Sequence, residues 1–379
     1  METVDVIVIG AGIAGASAAY ALSEAASVLL LEREDQPGYH TTGRSAAVFA
    51  PAYGNRPIRQ LTAASRAFYD DRAGGLAEGP VLKPRGELLI ARSDQLNALD
   101  RAEADLGQDI DELERLDADQ AIARMPALRP GHVAAALADS SAMDMDVAAI
   151  HQGFLAGFRR RGGRLLVDAE VTTLRPLRAG WEVVSKAGTF RAEVVINAGG
   201  AWADEIADLA GAARIGLVPK RRTAFIFDPN APIDPNWPVL VDVDEAFYFR
   251  PESGLLLGSP ADETPSPPVD AQPEELDVAL AVDRIERATV WRIARITRRW
   301  AGLRSFVADM TPVVGFDPAL RGFFWLAGQG GYGIQTAPAL ARTATALALG
   351  RPLPDDIVAT GLSAADLAPE RAELRRGFL

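Results

Sequence analysis

Val6-Ile7-Val8-Ile9-Gly10-Ala11-Gly12-Ile13-Ala14-Gly15 is the stretch that decides the fold. The apolar run Val4–Ile9 has the length of a buried strand, and the small-residue stretch Ile13–Glu24 reads as the helix that follows it. Between them Gly10 permits a tight turn, Gly12 lets a pyrophosphate approach the backbone, and Gly15 allows close helix–strand packing. Gly10, Gly12, Ala14 and Gly15 are therefore cofactor-binding candidates, with the N–H groups and dipole of the helix start facing the phosphates. A second apolar strand, Val28–Glu32, ends about 20 residues further on in a carboxylate suited to a ribose 2′-OH. Strand, glycine turn, helix and acidic residue in that order specify a dinucleotide site and leave NAD and FAD both open.

Outward from this nucleus, strands and helices alternate. Helices are predicted over Arg56–Asp71, Gln95–Leu106, Ala118–Met125 and Val147–Arg161, the last running into Gly162-Gly163 as a C-terminal cap. The period then switches to strands: Arg164–Val167, Glu170–Arg175, Gly180–Ser185, Thr189–Ala192, Val194–Ala198, Thr223–Phe227 and Phe247–Leu257. Ser259–Glu275 is acidic and proline-rich and reads as a solvated loop. A long helix is predicted over Leu276–Arg299, then a strand Phe323–Ala327 and a helix after Gly333.

Composition narrows the chemistry. Of 379 residues 48% are hydrophobic, enough for two or three domains with cores. The net charge of −12 argues against nucleic acid as a partner. With no cysteine there is no disulfide, thiolate metal site or cysteine nucleophile, and His40, His132 and His151 lack zinc spacing, so no metal site is expected. Lys83, Lys186 and Lys220 are the only lysines, against 36 arginines. No signal peptide or apolar span of membrane length is read, so the expectation is a cytoplasmic protein without integral membrane association.

Three further segments favour FAD. Val194–Trp202 is an apolar strand ending in Ala198, Gly199, Gly200 and Trp202. Phe323–Gly333 is a strand running into Gly330, Gly331, Tyr332 and Gly333 before a helix, whose N–H groups suit the anionic edge of a reduced flavin. The loop Gly38–Ala47 offers Thr42, Ser45 and Arg44 to phosphates, and small residues to a ring system.

Together these runs resemble the FAD-dependent D-amino acid oxidase superfamily, and within it the D-arginine dehydrogenase branch. The resemblance spans nearly the whole chain, through GYHTTGRSAA (38–47), AYG (52–54), LTAASRAF (61–68), PKRRTAFIF (219–227), WAGLRSFVAD (300–309) and QGGYGIQT (329–336). It implies an α/β fold, a Rossmann-like FAD-binding domain in separated pieces (1–85, 146–220 and 305–379). A second α+β substrate domain (86–145 and 221–304) is built on a mostly antiparallel sheet. By resemblance the flavin contacts fall on Glu32, Arg33, Thr42, Ser45, Ala46, Ala47, Val171 and the turn Gly331, Tyr332, Gly333, Ile334 and Gln335. Arg222 and Arg304 match the carboxylate-binding positions, Tyr248 a supporting phenol, Tyr53 a lid residue, Gly331 a backbone contact and Glu87 a carboxylate set against a cationic side chain. An arginine fork suits this task because it binds a carboxylate at two points. The chain departs from that branch at Val48 and Ala50, where the branch has histidine and threonine; the substitutions make the pocket more apolar and admit donors with apolar or mixed side chains.

The implied reaction is oxidative deamination of a D-amino acid: the Cα hydrogen leaves as hydride to flavin N5 and the imino acid hydrolyses to a 2-oxo acid. Tyr53, Tyr248, Arg222 and Arg304 would orient the donor. Sarcosine-oxidase-like relatives carry an oxygen-activating lysine in a Gly-Leu-Lys-Ile-Gly run, and Leu256 of Gly254–Gly258 takes that position here. The expectation is thus a dehydrogenase passing electrons to a quinone or another acceptor. Without cysteine the FAD is expected to be non-covalent, a histidyl link through His40 being the other route. Two alternatives stand beside this reading: a flavin oxidase of N-methyl or secondary amino acids or of 2-hydroxy acids, and a non-catalytic flavoprotein subunit.

Overall fold

The computed structural model describes residues 2–108, 110, 113–372 and 374. Among them the strand Glu2–Ile9 lies at the centre of an eight-stranded sheet, paired in parallel with Val28–Leu31 on one side and Gly188–Asn197 on the other. Arg164–Leu166 and Phe323–Ala327 extend the parallel core outward. Both faces are covered, which is why these strands read as continuous apolar runs. Val6, Val8, Val28 and Leu30 pack against the helices Ile13–Leu22, Val147–Arg160 and Gly333–Ala348; Ile7, Ile9, Leu29 and Leu31 face a second cluster with Trp181, Phe323 and Trp325.

The other large sheet has nine strands and is mostly antiparallel; its one parallel pair joins Glu87–Ala91 to Val239–Asp242. The mixed α/β architecture agrees with the fold class expected from the sequence. Three spans differ. Phe247–Leu257 is two strands, Tyr248–Glu252 and Leu255–Ser259, folded back on each other through Ser253 and Gly254, both at positive φ. Thr189–Ala192 and Val194–Ala198 belong to one strand, Gly188–Asn197.

The predicted helix Leu276–Arg299 ends at Ala288, and Arg295–Phe306 is a strand paired with Val218–Asp228 along its whole length. Alanine and arginine favour helix locally, but tertiary contacts stop it. The Arg129 backbone N–H donates to the Ala288 carbonyl at 2.8 Å, and its guanidinium caps the carbonyls of Glu286, Arg287 and Thr289. Trp291 then buries itself against Phe227, Trp237 and Phe249. The correction matters because Arg304 sits on this strand.

The acidic segment 259–275 does not float in solvent. It straps back across the sheet: Thr264–Pro265 pairs with Lys220 and Arg221, Asp262 accepts from the Thr223 backbone at 2.6 Å, and Asp270 meets Arg44.

Candidate functional site

Two cavities of about 550 Å³ each adjoin: residues of both large sheets line the first, and the second lies between the nine-stranded sheet, the 45–55 segment and the 331–335 turn. The first runs along the glycine turn. Gly10 has φ +99°, and a methyl group there would lie 2.5 Å from the Ala198 carbonyl oxygen; at Gly15 it would lie 1.8 Å from the Gly10 oxygen. The turn therefore admits only glycine at these two places, one for its backbone angle and one for close packing. The buried Glu32 carboxylate accepts from the Ala11 N–H at 2.7 Å and the Glu34 N–H at 3.1 Å, which fixes the acidic end of its strand beside the turn. The Thr42 hydroxyl accepts from Ile13 N–H at 3.0 Å. His151, which the sequence did not single out, hydrogen-bonds the Ala11 carbonyl at 2.9 Å and packs against Gly38, tying the turn to the 38–45 loop; burial lowers its pKa.

Of the expected cofactor residues, Gly10, Gly12, Ala14, Glu32, Arg33, Thr42, Arg44, Ser45, Ala46, Val171, Ala198, Gly199, Gly200, Trp202, Gly330, Gly331, Gly333 and Ile334 line this cavity. Gly15 lies behind the turn. Ala47, Tyr332 and Gln335 line only the second cavity. Gln335 spends its amide on Ala50 and Thr62, pinning the 50s segment. Arg44 is on the wall, but all three of its nitrogens are engaged, with the carbonyls of Tyr39, Ala271 and Ala301 and with Asp270. It organises the loop, and its fork is already filled. His40 is held by Glu34 at 2.9 Å with its ring 4.6 Å from that of Trp202.

The second cavity gathers Val48, Ala50, Tyr53, Glu87, Arg222, Tyr248, Arg304 and Gly331, residues spread over more than 280 positions of chain. Ser45, Ala46, Arg222, Tyr248, Arg304, Gly331 and Ile334 line both cavities, so the seam between them carries both arginines. Arg304 donates from Nη1 to the Tyr53 hydroxyl at 3.0 Å. Burial works against its charge, but the phenols of Tyr53 and Tyr248 outweigh it and raise the pKa above its ordinary value. The guanidinium lies on Gly331: a methyl group there would sit 3.0 Å from Cζ and Nη1. Arg222 is buried and differs from Arg304 in its engagements, since Nε donates to the Asp262 carbonyl at 2.9 Å and Nη2 to Glu263 at 3.1 Å. That edge is occupied, so a two-point grip through Nε and Nη2 of Arg222 is not open.

Glu87 opens a strand beside Asp139 and reaches the same cavity as Glu245. Burial, then the charges of Asp139 and Glu245, push its pKa up to about 7. Glu245 went unrecognised in the sequence; it occupies a turn at φ +53°, with its N–H bonded to the Asp242 carbonyl. Leu256 is fully buried in the core of the second sheet and lines neither cavity. Its identity therefore says nothing about the oxygen reactivity of a flavin in the cleft.

A family model described as DAO, FAD dependent oxidoreductase, matches residues 5–347. The mitochondrial dimethylglycine dehydrogenase of Mus musculus is 28% identical over 231 residues, covering 55% of this chain and 26% of that protein. The chain thus spans about a quarter of that relative's length. Glycine oxidase from Geobacillus kaustophilus superposes with a TM-score of 0.84 at 21% identity, covering 98% of this chain and 99% of the other. L-proline dehydrogenase from P. horikoshii also gives 0.84 at 21% identity, with 99% of each chain covered. Among the described residues no helix is long and apolar enough to cross a membrane. The glycine cradle, the fixed Glu32 and the small residues along the seam fit FAD in the first cavity.

Proposed function

The chain belongs to the DAO family of FAD-dependent oxidoreductases, and from that premise we propose that it oxidises the carbon–nitrogen bond of a small N-substituted amino acid held in the second cavity. The observation that carries this reading is the seam: Arg304 and Arg222 stand where the cofactor cleft opens into the second cavity. FAD, when bound, supplies the hydride acceptor. The chain supplies the hold. Arg304, braced by Tyr53 and seated on Gly331, meets the donor carboxylate, and Arg222 adds a second cation beside it. Tyr248 closes the same seam. With the carboxylate fixed, the α-carbon has one approach to the cofactor cleft, which converts binding into orientation.

The likeness to dimethylglycine dehydrogenase and L-proline dehydrogenase supports an amine that carries an alkyl group. Val48 and Ala50 agree with that: they offer no hydrogen bond and present methyl groups to the cavity. A second reading follows from Glu87 and Glu245. Two carboxyl groups on one wall suit a D-amino acid with a basic side chain, in line with the D-arginine dehydrogenase resemblance read from the sequence. Anaerobic flavin bleaching separates the two. We expect sarcosine, N,N-dimethylglycine or proline to bleach the holoenzyme faster than D-arginine, D-lysine or D-methionine, and the reverse order supports the second reading. Bleaching by neither group overturns the proposal.

A further inference from the structure

The acidic strap that reads as a solvated loop ends on the substrate seam. Val218–Asp228 and Arg295–Phe306 are antiparallel neighbours, with Lys220 opposite Arg304 and Arg222 opposite Gly302. Opposed and alternate residues share a face, so Lys220, Arg222 and Arg304 form one cationic row. Glu263 is the anion set into it. Its carboxylate accepts from Lys220 Nζ at 2.8 Å and from Arg222 Nη2 at 3.1 Å, and these cations lower its pKa despite its partial burial. The residue before it, Asp262, takes Arg222 Nε on its carbonyl and Thr223 N–H on its carboxylate.

We propose that Glu263, with Lys220 as its counter-ion, is a positioning residue for the substrate-carboxylate site. It holds the Nε/Nη2 edge of Arg222 against the strap, leaving Nη1 as the nitrogen for substrate. This rests on the reading that the donor carries a carboxylate. In it the carboxylate is shared between two arginines, one point from Arg222 and the fork of Arg304. Lys220 matters because Glu263 alone would cancel part of the positive field that draws the carboxylate in. The ion pair leaves the row's net charge suited to one anion while keeping the hold.

The test separates hold from charge. In the holoenzyme the double variant K220M/E263M removes one cation and one anion and leaves no acceptor for Arg222 Nη2, so the local charge is unchanged and the anchor is lost. The swap K220E/E263K keeps an ion pair in place, and with it the packing, but sets an ammonium against Arg222. Both are compared with wild type by anaerobic stopped-flow, giving the limiting flavin-reduction rate and the donor Kd, and by the Kd of benzoate from its perturbation of the flavin spectrum. We expect both variants to raise both Kd values about tenfold while the limiting rate stays within about threefold and Tm is kept by the swap. A merely structural role predicts that the swap restores wild-type Kd, and that result overturns the proposal. So does a wild-type Kd in a folded K220M/E263M. If neither an amino acid nor benzoate perturbs the wild-type flavin, the reading of the donor itself has failed and the proposal goes with it.

Discussion

Replacing Glu87 by glutamine probes the acidic wall of the second cavity. In the folded protein its pKa rises from 4.5 to about 7, first through burial and then through Asp139 and Glu245. A folded-state pKa above the unfolded one means that the folded form binds the proton more tightly. The stability this confers is full below about pH 4.5 and is lost as pH rises through about 7. At about 1.4 kcal/mol per decade the loss reaches about 3 kcal/mol at most. Unfolding entropy of about 2.1 cal/mol/K per residue gives about 0.8 kcal/mol/K for 379 residues. The loss thus corresponds to about 4 °C in Tm. Glu87→Gln mimics the protonated acid and carries no such penalty. The assay is the Tm of holoenzyme and variant at pH 4.5, 6, 7 and 8 at constant ionic strength. The variant's Tm minus that of wild type should grow by about 4 °C between pH 4.5 and 8. In a Glu245→Gln background the same difference should shrink, because one of the charges that raises the pKa is gone. A difference that stays flat with pH refutes the account of this wall.

Three substitutions probe the rest of the site. Gly10→Ala combines a disallowed φ of +99° with a 2.5 Å approach to the Ala198 oxygen; the purified protein should hold less than about a tenth of the wild-type flavin by absorbance ratio. Arg304→Lys keeps the charge and loses the planar fork, so kcat/KM should fall about 100-fold, a loss of about 3 kcal/mol; a change under about threefold contradicts the assignment. Gly331→Ala brings a methyl group to 3.0 Å from the Arg304 guanidinium and should lower kcat/KM about tenfold in steady-state assays while Tm moves by less than about 2 °C.

The parts of the fold carried by local pattern were legible. The strand Glu2–Ile9, the turn and the helix Ile13–Leu22 follow from apolar period and glycine placement within a single window. The strand Arg295–Phe306 was not, because its first residues continue the alanine- and arginine-rich run of the preceding helix and its state is set by Val218–Asp228, about 75 positions away, and by Arg129 and Trp291. The site divides the same way. Glu32 was placed by spacing alone, whereas Tyr53, Arg222, Tyr248 and Arg304 were reached through family motifs, since no periodicity links residues that far apart in the chain. Glu245 and Glu263 sit in acidic, loop-like sequence with nothing local to mark them; only the folded chain puts one in the cavity and the other on Arg222. Arg44 shows the converse, a loop arginine whose sequence suits phosphate and whose fold spends it on Asp270 and three carbonyls.

On the proposed reading, carboxylate-bearing amines are held at the seam between the two cavities and oxidised there. Anaerobic stopped-flow reduction of the holoenzyme, wild type against Arg304→Lys, tests it most directly across sarcosine, N,N-dimethylglycine, proline, glycine, D-arginine and the matching N-alkyl amines without a carboxylate. The carboxylated N-substituted donors should reduce the flavin, the decarboxylated amines should fail, and Arg304→Lys should weaken donor binding. Equal reduction by donors with and without the carboxylate, or an Arg304→Lys protein indistinguishable from wild type, contradicts it.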